Sequence, residues 1–537
     1  MRKMSALLCL LLAAVLLLSA CGGAGSSGKN AGKEVAIQDV DMSHYVPVSD
    51  NNRVFYEIFV GSFSDSNGDG IGDLRGIIDR FDYLNDGDPT SGKSLGIEGI
   101  WLTPIFKSPS YHKYDITDYY TIDPSFGTME DLEELAALCE SRNVKLILDL
   151  PINHSGRLNA WFGSFVSAHR QKATSDPYYD FYSWHAKGQS DNGRVFAQIT
   201  GTDDYYECNF SGDMPELNFD SDFVRETVLD VAKFYLDKGV DGFRFDAAKY
   251  VYYGDNGQSA DFWDWYTGEL RKIDPEIYLV GEVWDGDGVI DQYYSAMNCF
   301  NFTLSQSNGL IAETAKAGDA GRYASYVEKY LQQVKTQRKD ATIVPFIANH
   351  DTDRAAGYLT VTAGHMAMAA NLYILGPGSP FLYYGEEIGM RGSRGSANTD
   401  ADRRLAMLWG DEDTVKDPEG SSYKGQTDSS VAEQLAKSDS LLSHYKRLIM
   451  LRQANPEIAR GDYTAVDLPD SKVGGFVASL NGSSVLVLHN TTPNTKTVDL
   501  SALGLDYHEL SAVVGREEAS LDGSTLTIGG LTSVILR

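Results

Sequence analysis

Cysteine is scarce in this chain. Its 537 residues include five, and Cys139, Cys208 and Cys299, the three beyond the N-terminal segment, lie far apart. Such thiols supply neither a disulfide framework nor a metal-ligand spacing, so the folded body must rest on its apolar core. Positive charge is also short: 46 Lys and Arg face 75 Asp and Glu, a net charge of −29. That imbalance repels phosphate backbones and argues against a nucleic-acid partner. Bilayer-length apolar runs are missing. The run Ala6–Leu18 has 13 residues, against about 20 for a spanning helix. What is present is an ordinary globular balance, 42% hydrophobic and 23% charged, unlike a disordered or fibrous chain. The length fits about three domains, or one large barrel with accessories. The 31 Tyr and 7 Trp offer flat faces with polar rims on which sugar rings stack, although Tyr also packs cores everywhere.

Met1-Arg2-Lys3, the apolar run and Leu18-Ser19-Ala20 read as a signal peptide over residues 1–20. The small residues before Cys21, with Gly22-Gly23 after it, resemble the lipobox of bacterial lipoproteins. That resemblance implies cleavage before Cys21, lipidation of its thiol and an extracytoplasmic body anchored to a membrane. The plainer alternative is a secretory signal with an incidental cysteine. Residues 21–50, Gly/Ser-rich at 22–33, read as a tether.

From Arg53 onward one phrase recurs: a short apolar run rich in β-branched and aromatic residues, ending in a polar or charged one. Arg53–Val60, Glu98–Leu102, Val144–Leu150, Val240–Phe245, Ile277–Val280, Ile343–Ala348 and Pro380–Tyr384 read as buried parallel strands. An eighth falls near Met297–Phe302. Helical patterns such as Met129–Arg142, Ser221–Lys238 and Ser259–Lys272 lie between them. This alternation predicts an α/β fold, a closed (β/α)8 (TIM) barrel over 51–454. Residues 155–213 have no sustained period and read as an inserted domain. After the helix pattern Ser438–Gln453, period-two runs over 459–537 predict a C-terminal antiparallel β-sandwich.

Side chains just past the strand ends of such a barrel converge on one face. Strand three ends in Asp149 to His154, strand four runs through Arg244 and Asp246, strand five ends in Glu282, and strand seven in His350-Asp351. One acid after a strand is usually a helix cap; three carboxylates, two His and an Arg on one face are a pocket. Asp246 and Glu282 are one strand–helix–strand unit apart, which allows the separation of about 5 Å that a retaining glycosidase needs. Arg244 points to the same side as Asp246 and is expected to hold it ionised. Glu282, crowded by Asp246 and Asp351, is expected to titrate high, as a general acid must.

These ordered motifs, over about residues 50–537, resemble the α-amylase family of glycoside hydrolases. The resemblance implies a barrel with inserted domain B and a C-terminal β-sandwich. It implies Asp246 in GFRFDAAK as nucleophile, Glu282 in GEVW as acid/base and Asp351 in NHD as transition-state stabiliser. Arg244, His154 and His350 then grip the sugar beside the scissile bond, and Tyr114 stacks on it. Met214–Asn218 resembles the family's fifth conserved region, with Glu216 where Asp is commoner. Lys249 remains for leaving-side hydroxyls, but Tyr250 stands where His often follows. Ala247 after the nucleophile, and Tyr111-His112-Lys113-Tyr114 in place of an Asp-Asn-Gly-Tyr run, imply an endo-acting α-1,4 hydrolase of starch and maltooligosaccharides. The alternatives are a neopullulanase-like or α-glucosidase/transglycosylase activity, and a non-catalytic glucan-capture lipoprotein. A monomer is expected.

Asp65, Asn67, Asp69, the Ile71 carbonyl and Asp73 put oxygens at alternate positions of a glycine-rich turn. Hard Ca²⁺ takes about six to eight oxygens, so this loop is the expected calcium site, with a solvated acidic turn as the alternative. Gly76 stands where an EF-hand would carry Glu, so an independent EF-hand is not expected.

Overall fold

The computed structural model describes residues 34–362, 364–395 and 398–537. The expected signal peptide, Cys21 and the tether up to residue 33 lie outside the described residues. Residues 34–50 of that tether lie along the body instead: Val35 donates to the Leu435 carbonyl and Ile37 to that of Gly92, with Ile37 and Val48 buried. Among the described residues no helix is long and apolar enough to cross a membrane.

The apolar runs form a parallel barrel wall. Its strands are β1 (Phe55–Ile58), β2 (Gly99–Leu102), β3 (Lys145–Asp149), β4 (Gly242–Phe245), β5 (Tyr278–Gly281), β6 (Asn298–Cys299) and β7 (Phe381–Tyr383). They pair in the order β6-β5-β4-β3-β2-β1-β7. Nearly every residue in them is buried, which is why they read as continuous apolar runs rather than alternations. At Gly99 an added Cβ would lie 2.3 Å from the Phe55 ring, so the β1–β2 contact requires glycine.

The ring closes between β6 and β7 through residues 343–348, expected as a strand. Here Val344 bridges Phe300 and Phe346 bridges Phe381, both parallel, without a continuous ladder. Pro345 between them has no N–H to give. The fold is a (β/α)8 barrel with one lightly paired stave.

Helices cover the wall where the 3.6-residue pattern placed them, at Met129–Ser141, Asp222–Leu236 and Asn256–Ile273. The first starts with a capping box between Thr128 and Asp131 and buries Leu132, Leu135, Ala136 and Cys139 along one stripe. The inserted segment is more regular than its sequence implied. It contains a helix, Ala160–Gln171, capped by Asn159, and a small antiparallel sheet of 184–186, 196–198 and 204–207. Phe162 and Phe165 form that helix's buried face.

The C-terminal region is a sandwich of a five-stranded and a three-stranded antiparallel sheet. Strand Ser483–Asn490 shows why period two works there. Val485 and Val487 join the core shared with the barrel, whereas Leu486 and Leu488 face the core between the two sheets.

Candidate active site

Strands β4 and β5 pair with Phe245 opposite Gly281. Asp246 and Glu282 are the next residues on each, so register alone sets them side by side at the carboxyl end of the wall. The Glu282 amide donates to the Phe245 carbonyl at 2.9 Å and the Ala248 amide to the Glu282 carbonyl at 3.0 Å, extending the pairing past both acids. Ala247 turns the chain out with φ of +49°, a left-handed conformation costly for a non-glycine residue. That turn lets its amide donate to Glu282 Oε2 at 3.0 Å.

One fully buried guanidinium organises the acids. Arg244 Nη1 lies 2.7 Å from Asp246 and 2.8 Å from Asp149, while Nη2 is 3.1 Å from Glu282. From the opposite wall, His350 Nε2 is 2.9 Å from Asp351 and its Nδ1 is 2.5 Å from Glu57. Arg404 holds the other Asp351 oxygen at 2.7 Å. Tyr114 joins the two halves: its hydroxyl donates to Asp149 at 2.8 Å and lies 2.7 Å from His350 Nε2.

Burial pushes Glu282 up to about 7, against the pull of Arg244 and with added repulsion from Asp246 and Asp351. The same burial raises Asp246 to about 6, with Asp149 and Asp351 adding to it. Arg244 was expected to hold Asp246 ionised, and its charge does pull the carboxyl down. That charge is divided among three carboxylates, however, and does not cancel the loss of water. For Asp351 burial also pushes upward, but the His350 imidazolium, Arg404 and Arg244 win and hold it well below the usual carboxylate range. Burial would lower His350, yet Asp351 and Glu57 carry it up to about 10. At neutral pH the face therefore holds an ionised Asp351, and of the other two acids Glu282 keeps its proton to higher pH than Asp246.

These acids open on a cleft of about 800 Å³. His154, Asp246, Glu282 and Asp351 line it, as the strand-end pattern implied, together with Tyr114, which the resemblance implied. Arg244 and His350 lie beneath its floor, fully buried, and act on the carboxylates above them. His154 is buried and neutral, its pKa lowered to about 4 by burial, and its Nε2 has no protein partner. Lys249 stands aside from the cleft: its ammonium is held by the Trp284 carbonyl at 2.8 Å and by Asp285 at 3.0 Å. Tyr250 takes the wall instead, against the edge of Phe210.

Sequence reading missed Asp149 as a site residue, and also Glu57 and Arg404. A signal for Glu57 existed, a lone acid inside the apolar run VFYEIF. Arg404 comes from the loop after β7, where no strand-end pattern points to it.

The family described as "Alpha amylase, catalytic domain" matches residues 57–461, three quarters of the chain. The chain belongs to the alpha-amylase family. A relative named Alpha-amylase 3, from Dictyoglomus thermophilum, is 36% identical over 455 residues, covering 82% of this chain and 84% of its own. Another, named Oligo-1,6-glucosidase, from a Bacillus species, is 29% identical and covers 81% and 98%. Among solved structures, Amy13B of Eubacterium rectale superposes with a TM-score of 0.83 at 33% identity, covering 94% and 97%. Within the alpha-amylase family these names span different linkages, so membership makes the chain a glycoside hydrolase without fixing the bond.

The Asp65–Asp73 loop lies apart from the cleft. Asp65 accepts backbone N–H groups from Asn67, Gly68 and Gly70 and the Thr414 hydroxyl. Asp73 caps the helix Leu74–Asp79 through the Gly76 amide and also receives Ser66. The donors are all hard oxygens, as Ca²⁺ wants. Among the described residues, however, no three acidic, His or Cys side chains converge to hold a metal.

Proposed function

We propose that this chain is a retaining, endo-acting hydrolase of α-1,4-glucosidic bonds in starch and maltooligosaccharides. One observation carries the reading: Asp246 and Glu282 sit in register on adjacent strands, share Arg244, and titrate in the order a nucleophile and an acid need. The ionised Asp246 attacks the anomeric carbon while Glu282 gives its proton to the departing oxygen. Glu282 then takes a proton from water, which displaces Asp246, and two inversions keep the α configuration. Asp351, ionised and held by His350 and Arg404, stabilises the positive charge that develops on the sugar ring. Tyr114 supplies a flat face for that ring, and His154 offers its free Nε2 to a hydroxyl.

A second reading, mixed α-1,4 and α-1,6 specificity with transfer to sugar acceptors, has support in the cleft wall. Met214 of the Met214–Asn218 region lines the cleft, and Glu216 bridges to His154. The relative named Oligo-1,6-glucosidase points the same way. Incubation with maltoheptaose, pullulan and isomaltose, with products and anomers followed over time, separates the two. Internal cleavage of maltoheptaose to α-anomers supports the first reading. Products of pullulan or isomaltose favour the second. Glucan binding without turnover would leave a capture protein, and fresh β-anomers would remove Asp246 as nucleophile.

We also propose that Asp65, Asn67, Asp69, Ile71 and Asp73 hold Ca²⁺ in a structural role, supported by their all-oxygen chemistry. The lipobox-like sequence supports a lipid on Cys21 and an extracytoplasmic, membrane-anchored monomer. A C21S substitution that leaves the protein in the membrane fraction would end that reading.

A further inference from the structure

We propose that Glu57 is a positioning residue: it pins the His350 ring through Nδ1, so that the proton on Nε2 serves Asp351 and Tyr114 together. The inference rests on the reading above for its activity test, but not for its spectroscopic one.

Glu57 is an acid on β1, 1% exposed, in a stretch where its neighbours are apolar. Its Oε1 lies 2.5 Å from His350 Nδ1 and accepts the His350 backbone N–H at 3.2 Å. A carboxylate at that distance fixes a hydrogen on Nδ1. On the other side of the ring, Nε2 faces Asp351 Oδ2 at 2.9 Å and the Tyr114 hydroxyl at 2.7 Å. Tyr114 spends its own proton on Asp149, so towards His350 it accepts. A bare lone pair on Nε2 would then meet two acceptors. The geometry closes only with both ring nitrogens protonated.

The groups around the ring agree. Glu57 and Asp351 favour the cation, and Asp149 reaches it through Tyr114. Arg404, which disfavours a cation, spends its Nε on the His350 carbonyl at 3.0 Å. Trp101 presents only a ring edge contact, centroids 5.6 Å apart. The two carboxylates outweigh burial and keep His350 charged far above neutrality. Without the Glu57 charge the imidazolium loses one of its two anions. Deprotonation would then reverse the Tyr114 hydroxyl towards Nε2, freeing Asp149 and leaving Asp351 without its cation.

The isosteric E57Q substitution tests this through the pH dependence of kcat/KM. In the native enzyme one group, Glu282, governs the alkaline side, and the limb falls tenfold per pH unit. In E57Q a second deprotonation enters the range, and the limb steepens to about a hundredfold per unit, with the rate at acid pH within about threefold of native. A parallel limb, or a uniform loss at every pH, would overturn the proposal. Should E57Q fail to fold, ¹⁵N-histidine NMR of the native protein decides. A fully buried histidine with both nitrogens protonated at pH 8 is expected, and a neutral His350 there overturns the proposal whether or not glucans are hydrolysed.

Discussion

Two buried carboxylate pairs sit at opposite ends of the same chemistry. Asp246 and Glu282 straddle Arg244 and open on the cleft. Glu386 and Glu387, just past β7, are more deeply buried, and tyrosines partner them: Tyr373 and Tyr445 donate to Glu386, Tyr56 and Tyr83 to Glu387. Each of the latter leaves one oxygen without a partner. Burial raises all four, and takes Glu386 up to about 8. Desolvation alone therefore makes a protonated acid, not a working one. The cleft pair differs by having a fixed cation between its members and a substrate-sized space above them, which splits one acid's role from the other's.

Breaking the cleft pair should give the largest effect. D246A is expected to lower kcat at least about 10⁴-fold while maltoheptaose still binds, as read by turnover and calorimetry. Near-native turnover would erase the distinction between the pairs. Next, kcat/KM should be bell-shaped with limbs near 6 and 7. Below the first limb Asp246 takes a proton and cannot attack; above the second Glu282 has none to give.

The tyrosine-held pair should respond in stability instead. Glu386 has its folded pKa raised from 4.5 to about 8, so the folded state binds more protons and stability falls as pH climbs between those values. E386Q removes that slope. Its melting temperature relative to native should rise from pH 5.5 to pH 8.5, with activity unchanged; a constant offset would mean that Glu386 is already ionised. The smallest effect belongs to a third acidic group, the Asp65–Asp73 loop. Chelation by EDTA should lower the melting temperature by several degrees without shifting the limbs of the pH profile, and no shift would favour a hydrogen-bonded acidic turn.

The barrel was legible because most wall strands are short, largely apolar runs that end where the chemistry begins, as GFRF runs into Asp246. The positions of His154, Asp246, Glu282 and Asp351 in one cleft follow from that rule, whereas Tyr114 was reached only through the family resemblance. What stayed hidden depends on distances across the ring. Nothing local reveals that Glu57 faces His350, 293 residues away, or that Arg404 reaches Asp351. Hidden for the same reason was how Arg244 is shared: it looked dedicated to Asp246, while Asp149 and Glu282 divide its charge. Lys249, adjacent in sequence, was drawn off by Asp285.

The stave containing Pro345 bears on how this protein meets heat. It has a single bridge on each side, with hydrogen bonds from the amides of Asn301, Gln306, Ser379 and Phe381, where its neighbours pair over two and three residues on their far sides. Local opening is cheapest where fewest backbone pairs must part. That segment feeds directly into His350 and Asp351, so any opening there would move a carboxylate that the sugar needs. Turnover should therefore fade on warming before the domain itself melts, and a tighter seam there would extend the working range without touching the cleft.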